Sequence, residues 1–150
     1  MKTVYFNSRE GLRCLSNFSA DPVTFNGVRA RTAEHAYQWS KFYRSDPTHA
    51  TLILQTYSAV QAKRAGARQG GGKLDPAWSQ ERSVKLMRSL LQRKLEQNPG
   101  VKASLLATGD APLVHRAPWD SFWGDGKNGR GKNVLGKLWE EIRSEVRRLG

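Results

Sequence analysis

The stretch from Trp119 to Gly136 reads WDSFWGDGKNGRGKNVLG and runs directly into an amphipathic pattern. It places five glycines, two tryptophans, two aspartates and three cationic side chains within eighteen residues. Glycine at that density removes side chains where the backbone must turn with positive φ or let another group come close. The segment is therefore expected to fold as a turning loop ahead of a helix. Loop amides and the positive end of the helix dipole together suggest an anion or phosphate cradle.

Two familiar glycine templates nearly fit this stretch. Gly124, Gly126 and Gly129 spell G-x-G-x-x-G, but Pro118-Trp119-Asp120-Ser121-Phe122 is no buried strand, and a dinucleotide fingerprint needs one directly before it. Gly126 to Lys132 fits G-x-x-x-x-G-K, yet Asn133 stands where a magnesium-ligating Ser or Thr belongs. Both templates are set aside because their structural context is missing.

Charge is the next constraint. A net charge of +12 in 150 residues, with a pI near 10.4, concentrates anions, so phosphorylated metabolites, nucleotides and nucleic acid lead the expected partners. The charge is spread along the chain: residues 47–74 hold no acid, and 82–109 hold only Glu96 against six cations. With 38% hydrophobic and 25% charged residues, the composition is that of a soluble globular protein, expected as one domain over 1–150. Cys14 cannot form an internal bridge and reads as a structural thiol of a reducing compartment. With no signal peptide and no membrane-length apolar run, cytoplasmic or nuclear residence is the expectation.

Local signals predict the order of elements. Thr3 to Phe6 suits a short strand, and Val23-Thr24-Phe25, Asn26-Gly27, Val28-Arg29-Ala30 spells a hairpin with a primed turn. A helix is predicted from Thr32, as N-cap, to about Arg44, with His35, Trp39, Phe42 and Tyr43 on one side and Glu34, Tyr37, Gln38 and Lys41 on another. A Glu, Gln and Lys stripe is usually a solvated face, but here an aromatic joins it. Asp46-Pro47 opens a helix to about Tyr57, and Ser58 with Gln61 forms a capping box for the next, which carries Lys63, Arg64 and Arg68. Asp75-Pro76 is expected to cap the longest helix, running to about Gln97 with Val84, Met87, Leu91 and Leu95 inward. Asn98-Pro99 starts a helix ending near Gly109, Leu113-Val114-His115 suits a strand, and Val134–Leu149 is the last helix, with Asn133 as its plausible N-cap. The sum is a mostly helical α+β domain with a few short strands.

The ordered segments Leu15-Ser16-Asn17-Phe18, Thr32-Ala33-Glu34-His35-Ala36-Tyr37-Gln38-Trp39-Ser40-Lys41-Phe42, Lys63-Arg64-Ala65-Gly66, Trp78, Lys94, Leu105 to Gly109, Asp120 to Gly126 and Gly131 to Gly136 resemble the NADAR, or YbiA-like, family over nearly the whole chain. The resemblance implies an N-glycosidase, and with three histidines and one cysteine at no usable ligand spacing, a hydrolysis without metal or cofactor is the expectation. Its substrates would be phosphoribosylated pyrimidine intermediates of riboflavin synthesis or, in the alternative, ADP-ribose linked to guanine in nucleic acid. It makes Glu34 the leading catalytic carboxylate and Asp120 its partner. Asn17, Lys41, Lys63, Trp78, Trp123, Gly124, Lys132 and Asn133 are the implied substrate-binding positions. His115 departs from the pattern, since many members read Leu-Val-Glu where this chain reads Leu113-Val114-His115.

The residue types suit that chemistry. Breaking an N-glycosidic bond builds positive charge on the ribose ring, which a nearby carboxylate stabilises. A second group must protonate or hydrogen-bond the departing base. Aromatic faces can stack on the base, and cations can hold phosphate. A non-catalytic module that binds nucleic acid or ADP-ribose is the competing class, and Arg82, Lys85 and Arg93, predicted on one side of the longest helix, are the residues it would use.

Overall fold

The computed structural model describes residues 2–150 and confirms a mostly helical α+β architecture. The chain divides into two compact units, one built from the residues up to Ser19 together with Asn98–Gly150, the other from Ala20–Gln97.

In the first unit, β1 (Val4–Phe6) and β4 (Leu113–His115) pair in parallel, with Val4 opposite Leu113 and Phe6 opposite His115. The helices α5 (Pro99–Ala107) and α6 (Val134–Leu149) complete it. Helical spacing predicts Leu135, Leu138, Trp139, Ile142 and Val146 of α6 to face inward; the first four are buried, together with Phe6, Leu15, Leu105 and Leu113, while Val146, in the last turn, is half-buried. Trp139 is fully buried, and its indole Nε1 donates to the Leu15 carbonyl at 3.0 Å, so the polar edge of a large core side chain is satisfied. Arg143 is buried beside these residues, donating from Nη1 to Thr108 Oγ1 and to the Ala111 carbonyl, each at 2.8 Å.

In the second unit, β2 (Val23–Phe25) and β3 (Val28–Ala30) form the expected antiparallel hairpin. Its turn residues Asn26 and Gly27 both take positive φ, 48° and 84°, the conformation a primed two-residue turn requires. Four helices follow: α1 (Ala33–Ser40), α2 (Pro47–Gln55), α3 (Ala59–Gly66) and α4 (Gln80–Gln97). Their starts obey local chemistry. Thr32 and Asp46 accept from the amides of His35 and His49, and Ser58 and Gln61 make both halves of a capping box. Trp39, Phe42, Ala50, Ile53 and Ala62 pack into one apolar cluster joining α1, α2 and α3. The hairpin is tied to the end of α4 by the Gln97 side chain, which accepts from the Thr24 amide at 2.7 Å and donates to the Thr24 carbonyl at 2.8 Å.

Some local expectations are corrected: the third helix ends at Gly66, which leaves Arg68 on a separate 3-10 turn, Arg68–Gly70. The first helix stops at Ser40 rather than near Arg44, because the chain tightens at 41–45 and Asp46, preceding a proline, must leave the helical region. The longest helix starts at Gln80 rather than at Asp75-Pro76, since Asp75 instead closes a separate turn by accepting from the Ala77 amide. Ser79 Oγ takes the cap, accepting from Arg82 N at 3.1 Å. Asn133 is not a side-chain N-cap: it sits at φ 51°, and its side chain bonds to β4.

Candidate active site

In the second unit, the α1 stripe of Glu34, Tyr37, Gln38 and Lys41 is not a solvated face. Glu34 is 7% exposed and Gln38 4%. Gln38 lies one helical turn beyond Glu34, and its amide Nε2 donates to Glu34 Oε2 at 2.6 Å, a contact that i, i+4 spacing makes available. Glu34 also stands in the first turn of α1, where the helix dipole favours a negative charge. The Gln38 Oε1 atom is buried without a hydrogen-bond partner. It lies against Gly66 of α3, where an added Cβ would fall 1.9 Å from it.

Lys41, at the C-terminal end of α1, has its pKa lowered by burial, opposed by the Glu34 carboxylate, which favours the ammonium, and reinforced by Lys63 of α3. Its Nζ lies 5.2 Å from the centre of the Tyr37 ring. The Lys41 carbonyl accepts from the Asp75 amide at 3.0 Å, and the turn begun there closes when Trp78 N donates to the Asp75 carbonyl at 2.9 Å. That turn carries the Trp78 ring against Tyr37, edge to face with centroids 5.8 Å apart. A carboxylate, an amide that holds it, two cations and two aromatic rings thus come together from α1, α3 and the 75–78 turn. His35, by contrast, is a core residue: its ring bonds Thr32 Oγ1 at 2.8 Å and the Thr56 carbonyl at 3.0 Å, and its pKa is lowered chiefly by burial.

Gln38 and Gly66 were not among the expected site residues. The i, i+4 relation of Gln38 to Glu34 was a usable signal, whereas the role of Gly66 depends on the packing of α3 against α1. We expect Gly66→Ala to leave the fold standing, because a flexible amide can move aside, but to displace Gln38 and lower turnover about tenfold or more. Steady-state rates beside a thermal melt check this. Loss of stability without a change in the rate constant of the folded enzyme would be the contrary result.

In the first unit, the glycine-rich stretch closes on itself. The amides of Lys132, Asn133, Val134 and Leu135 donate to the carbonyls of Ser121, Gly124, Phe122 and Trp123, and Gly131 N donates to the Asp125 carbonyl. This corrects the expected amide cradle at the helix start: these donors are committed to carbonyls of the same loop, so an anion would have to displace internal hydrogen bonds. Asp120 Oδ1 accepts from the Phe122 and Trp123 amides at 3.0 and 2.9 Å and so shapes the turn that presents Trp123, whose ring meets Phe122 edge to face. Gly124 is buried where a Cβ would fall 2.6 Å from that of Ala117. The Asn133 side chain behaves like a piece of neighbouring strand, accepting from His115 N at 2.8 Å and donating to the Leu113 carbonyl at 2.9 Å. His115 itself stacks on Phe6, rings 5.2 Å apart. Asn17 is buried, and Lys132 is exposed with its ammonium 5.8 Å from the Phe122 ring centre. Among the described residues, no group of three or more His, Cys, Asp and Glu could hold a metal ion, and no helix is long and apolar enough to cross a membrane.

The NADAR domain family matches residues 5–147, and the chain belongs to that family. It is 36% identical over 144 residues to the N-glycosidase YbiA of Shigella boydii serotype 4, covering 95% of this chain and 86% of that protein. It is 34% identical over 143 residues to the riboflavin biosynthesis protein VVA0006 of Vibrio vulnificus, covering 95% of this chain and 38% of that one. The NMR structure of YbiA from E. coli superposes with a TM-score of 0.83 at 34% identity, covering 99% of this chain and 88% of the other.

Proposed function

We propose that the chain is an N-glycosidase that hydrolyses the bond between a phosphoribosyl group and a nucleobase-like amine, with Glu34 as its essential carboxylate. The observation that carries this reading is the buried Glu34–Gln38 pair beside Lys41 and the Tyr37–Trp78 edge. Hydrogen bonding from Gln38 orients a carboxylate that burial keeps out of bulk water, where its charge acts strongly on a developing cation. As the C1′–N bond breaks, the bonding electrons leave with the base and the ribose ring becomes cationic. Glu34 stabilises that charge and orients a water whose hydroxyl adds to C1′, while the water's proton is passed on to the departing nitrogen. Trp78 offers a face for the base, and Lys41 and Lys63 offer charge for the phosphate.

Asp120 is proposed as the second carboxylate, and Asn17, Trp123, Gly124, Lys132 and Asn133 as substrate-binding residues, on the strength of the family pattern. Asp120→Asn separates the two roles open to this side chain. Asparagine keeps the Oδ1 that accepts from Phe122 and Trp123 but removes the charge, so turnover should fall at least about tenfold with the melting temperature unchanged. Full turnover in this variant would leave Asp120 as a turn-forming residue alone.

The Vibrio relative is named for riboflavin biosynthesis, which supports a metabolite of that pathway as substrate, and a phosphoribosylated pyrimidine is the one the family resemblance implies. The net charge of +12 favours one second reading, an ADP-ribosyl group on nucleic acid. The deciding experiment incubates the protein with phosphoribosylated pyrimidines, NAD, ADP-ribose and ADP-ribosylated DNA and measures released base or sugar. Release from the first class and not the last selects the metabolite reading, and release from none overturns the proposal.

A further inference from the structure

The exposed side of α4 and the tip of the β2–β3 hairpin border an open groove of about 390 Å³, lined by Arg82, Lys85, Leu86, Ser89 and Arg93 from the helix and Phe25 and Asn26 from the hairpin. Among the described residues that line it, three are cations and none is an acid. The carboxylates that pair with them lie outside the lining: Asp75 stands 4.0 Å from Arg82, Glu81 stands 3.4 Å from Lys85, and Glu96 contacts Arg93. The Lys85–Glu81 pair is 78% and 82% exposed, and the Arg93–Glu96 pair is 52% and 56% exposed. Solvated pairs of this kind hold their partners weakly and yield to a stronger anion. Arg82 and Arg93 stand eleven residues apart, about 16 Å along the helix axis, enough to meet several successive phosphates of one strand. Serine and asparagine are also common phosphate and sugar contacts, and arginine presents a planar fork that matches phosphate oxygens. The Gln97–Thr24 bonds fix the hairpin against the helix, so the groove walls are held in place.

We propose that this groove binds the sugar-phosphate backbone of single-stranded nucleic acid without sequence preference, whichever small substrate is hydrolysed at Glu34. The three cations follow one another along one face of α4, the track of a single backbone. Phe25 is buried and only closes one wall, so the groove's contacts are with the backbone and not with the bases, which is why no sequence preference is expected.

The test is fluorescence anisotropy with labelled oligothymidylate and the full chain, from 50 to 200 mM salt, measured without reference to hydrolysis. Two triple variants carry the same change in charge: Arg82→Gln, Lys85→Gln, Arg93→Gln in the groove, and Lys102→Gln, Lys137→Gln, Arg148→Gln at exposed positions of the other unit. The groove variant should bind at least about tenfold more weakly at 50 mM salt, and its plot of log affinity against log salt should flatten by about 2, from about 0.7 per lost phosphate contact. The control should change by less than about threefold. Should the groove triple melt below the assay temperature, Arg93→Gln alone decides, with an expected loss of about threefold. No wild-type binding at 50 mM salt, an equal loss in the control, tighter binding of duplex than of strand, or displacement by polyglutamate as effective as by unlabelled oligonucleotide would each overturn the proposal.

Discussion

Glu34→Gln should lower turnover on the phosphoribosylated substrate by about 10²-fold or more while the protein melts within a few degrees of wild type. The substitution keeps side-chain volume and keeps an oxygen that can accept from Gln38 Nε2, so the contact seen at 2.6 Å has a neutral counterpart. It removes the charge that would stabilise a cationic ribose ring, and nothing else on α1 replaces that charge, since Tyr37, Gln38 and Lys41 are neutral or cationic. The expected cost to stability is small, because an anion in the first helical turn contributes only about 0.3–1 kcal/mol. The change also has a signature in pH. Glu34 is the neighbour that opposes the lowering of the Lys41 pKa, so its loss leaves burial and Lys63 in control and moves that pKa further down. Titration of labelled Lys41 by NMR in both proteins reads this directly. Near-normal turnover would remove Glu34 from the mechanism, and an unshifted Lys41 would remove the electrostatic link between them.

Gly136→Ala should destabilise the fold by about 2–4 kcal/mol, although alanine is the better helix former by about 1 kcal/mol. A Cβ at this position would stand 2.2 Å from the Leu113 carbonyl and 2.6 Å from both side-chain polar atoms of Asn133. The neighbours are a strand backbone and an amide already bonded on both sides, so neither can yield as a free side chain would. Relief requires α6 to back away from β4, which strains the Asn133 bonds to Leu113 and His115, each contributing about 0.5–1.5 kcal/mol. In a chain of this length a loss of that size lowers the melting temperature by roughly 5–15 °C. Calorimetry or a circular-dichroism melt checks it, and an unchanged or raised melting temperature would mean that helix propensity outweighs the contact.

Much of the fold was legible because its signals act over a few residues. Thr32, Asp46, the Ser58 and Gln61 box and the Asn26-Gly27 turn each satisfy backbone donors or dihedrals within four positions, and the distant donor at Asp46, Lys73 N, takes its other carboxylate oxygen and leaves the cap intact. The inward residues of α6 were equally plain, since helical periodicity alone separates Leu135, Leu138, Trp139 and Ile142 from its charged face. The family pattern brought Glu34 forward, and Gln38 stood one turn away on the same stripe.

Tertiary contacts decided the remainder. Asp75 had the local look of a helix cap, but the Lys41 carbonyl anchors its amide and its side chain accepts from Ala77 N, so it opens the turn that carries Trp78 and leaves the start of α4 to Ser79. Asn133 also had the residue type of a cap, and a strand 18 to 20 positions away claimed its amide instead. The glycine-rich stretch suggested open amides, whereas carbonyls of the same loop fill them once it folds back on itself. Burial of the α1 stripe was decided the same way. A Glu, Gln and Lys face is solvated unless other elements cover it, and every residue of α1 is buried in the folded chain. A cap is a bond between near neighbours and can be read from composition, while burial and donor allocation depend on which distant groups arrive, and local spacing carries no record of that.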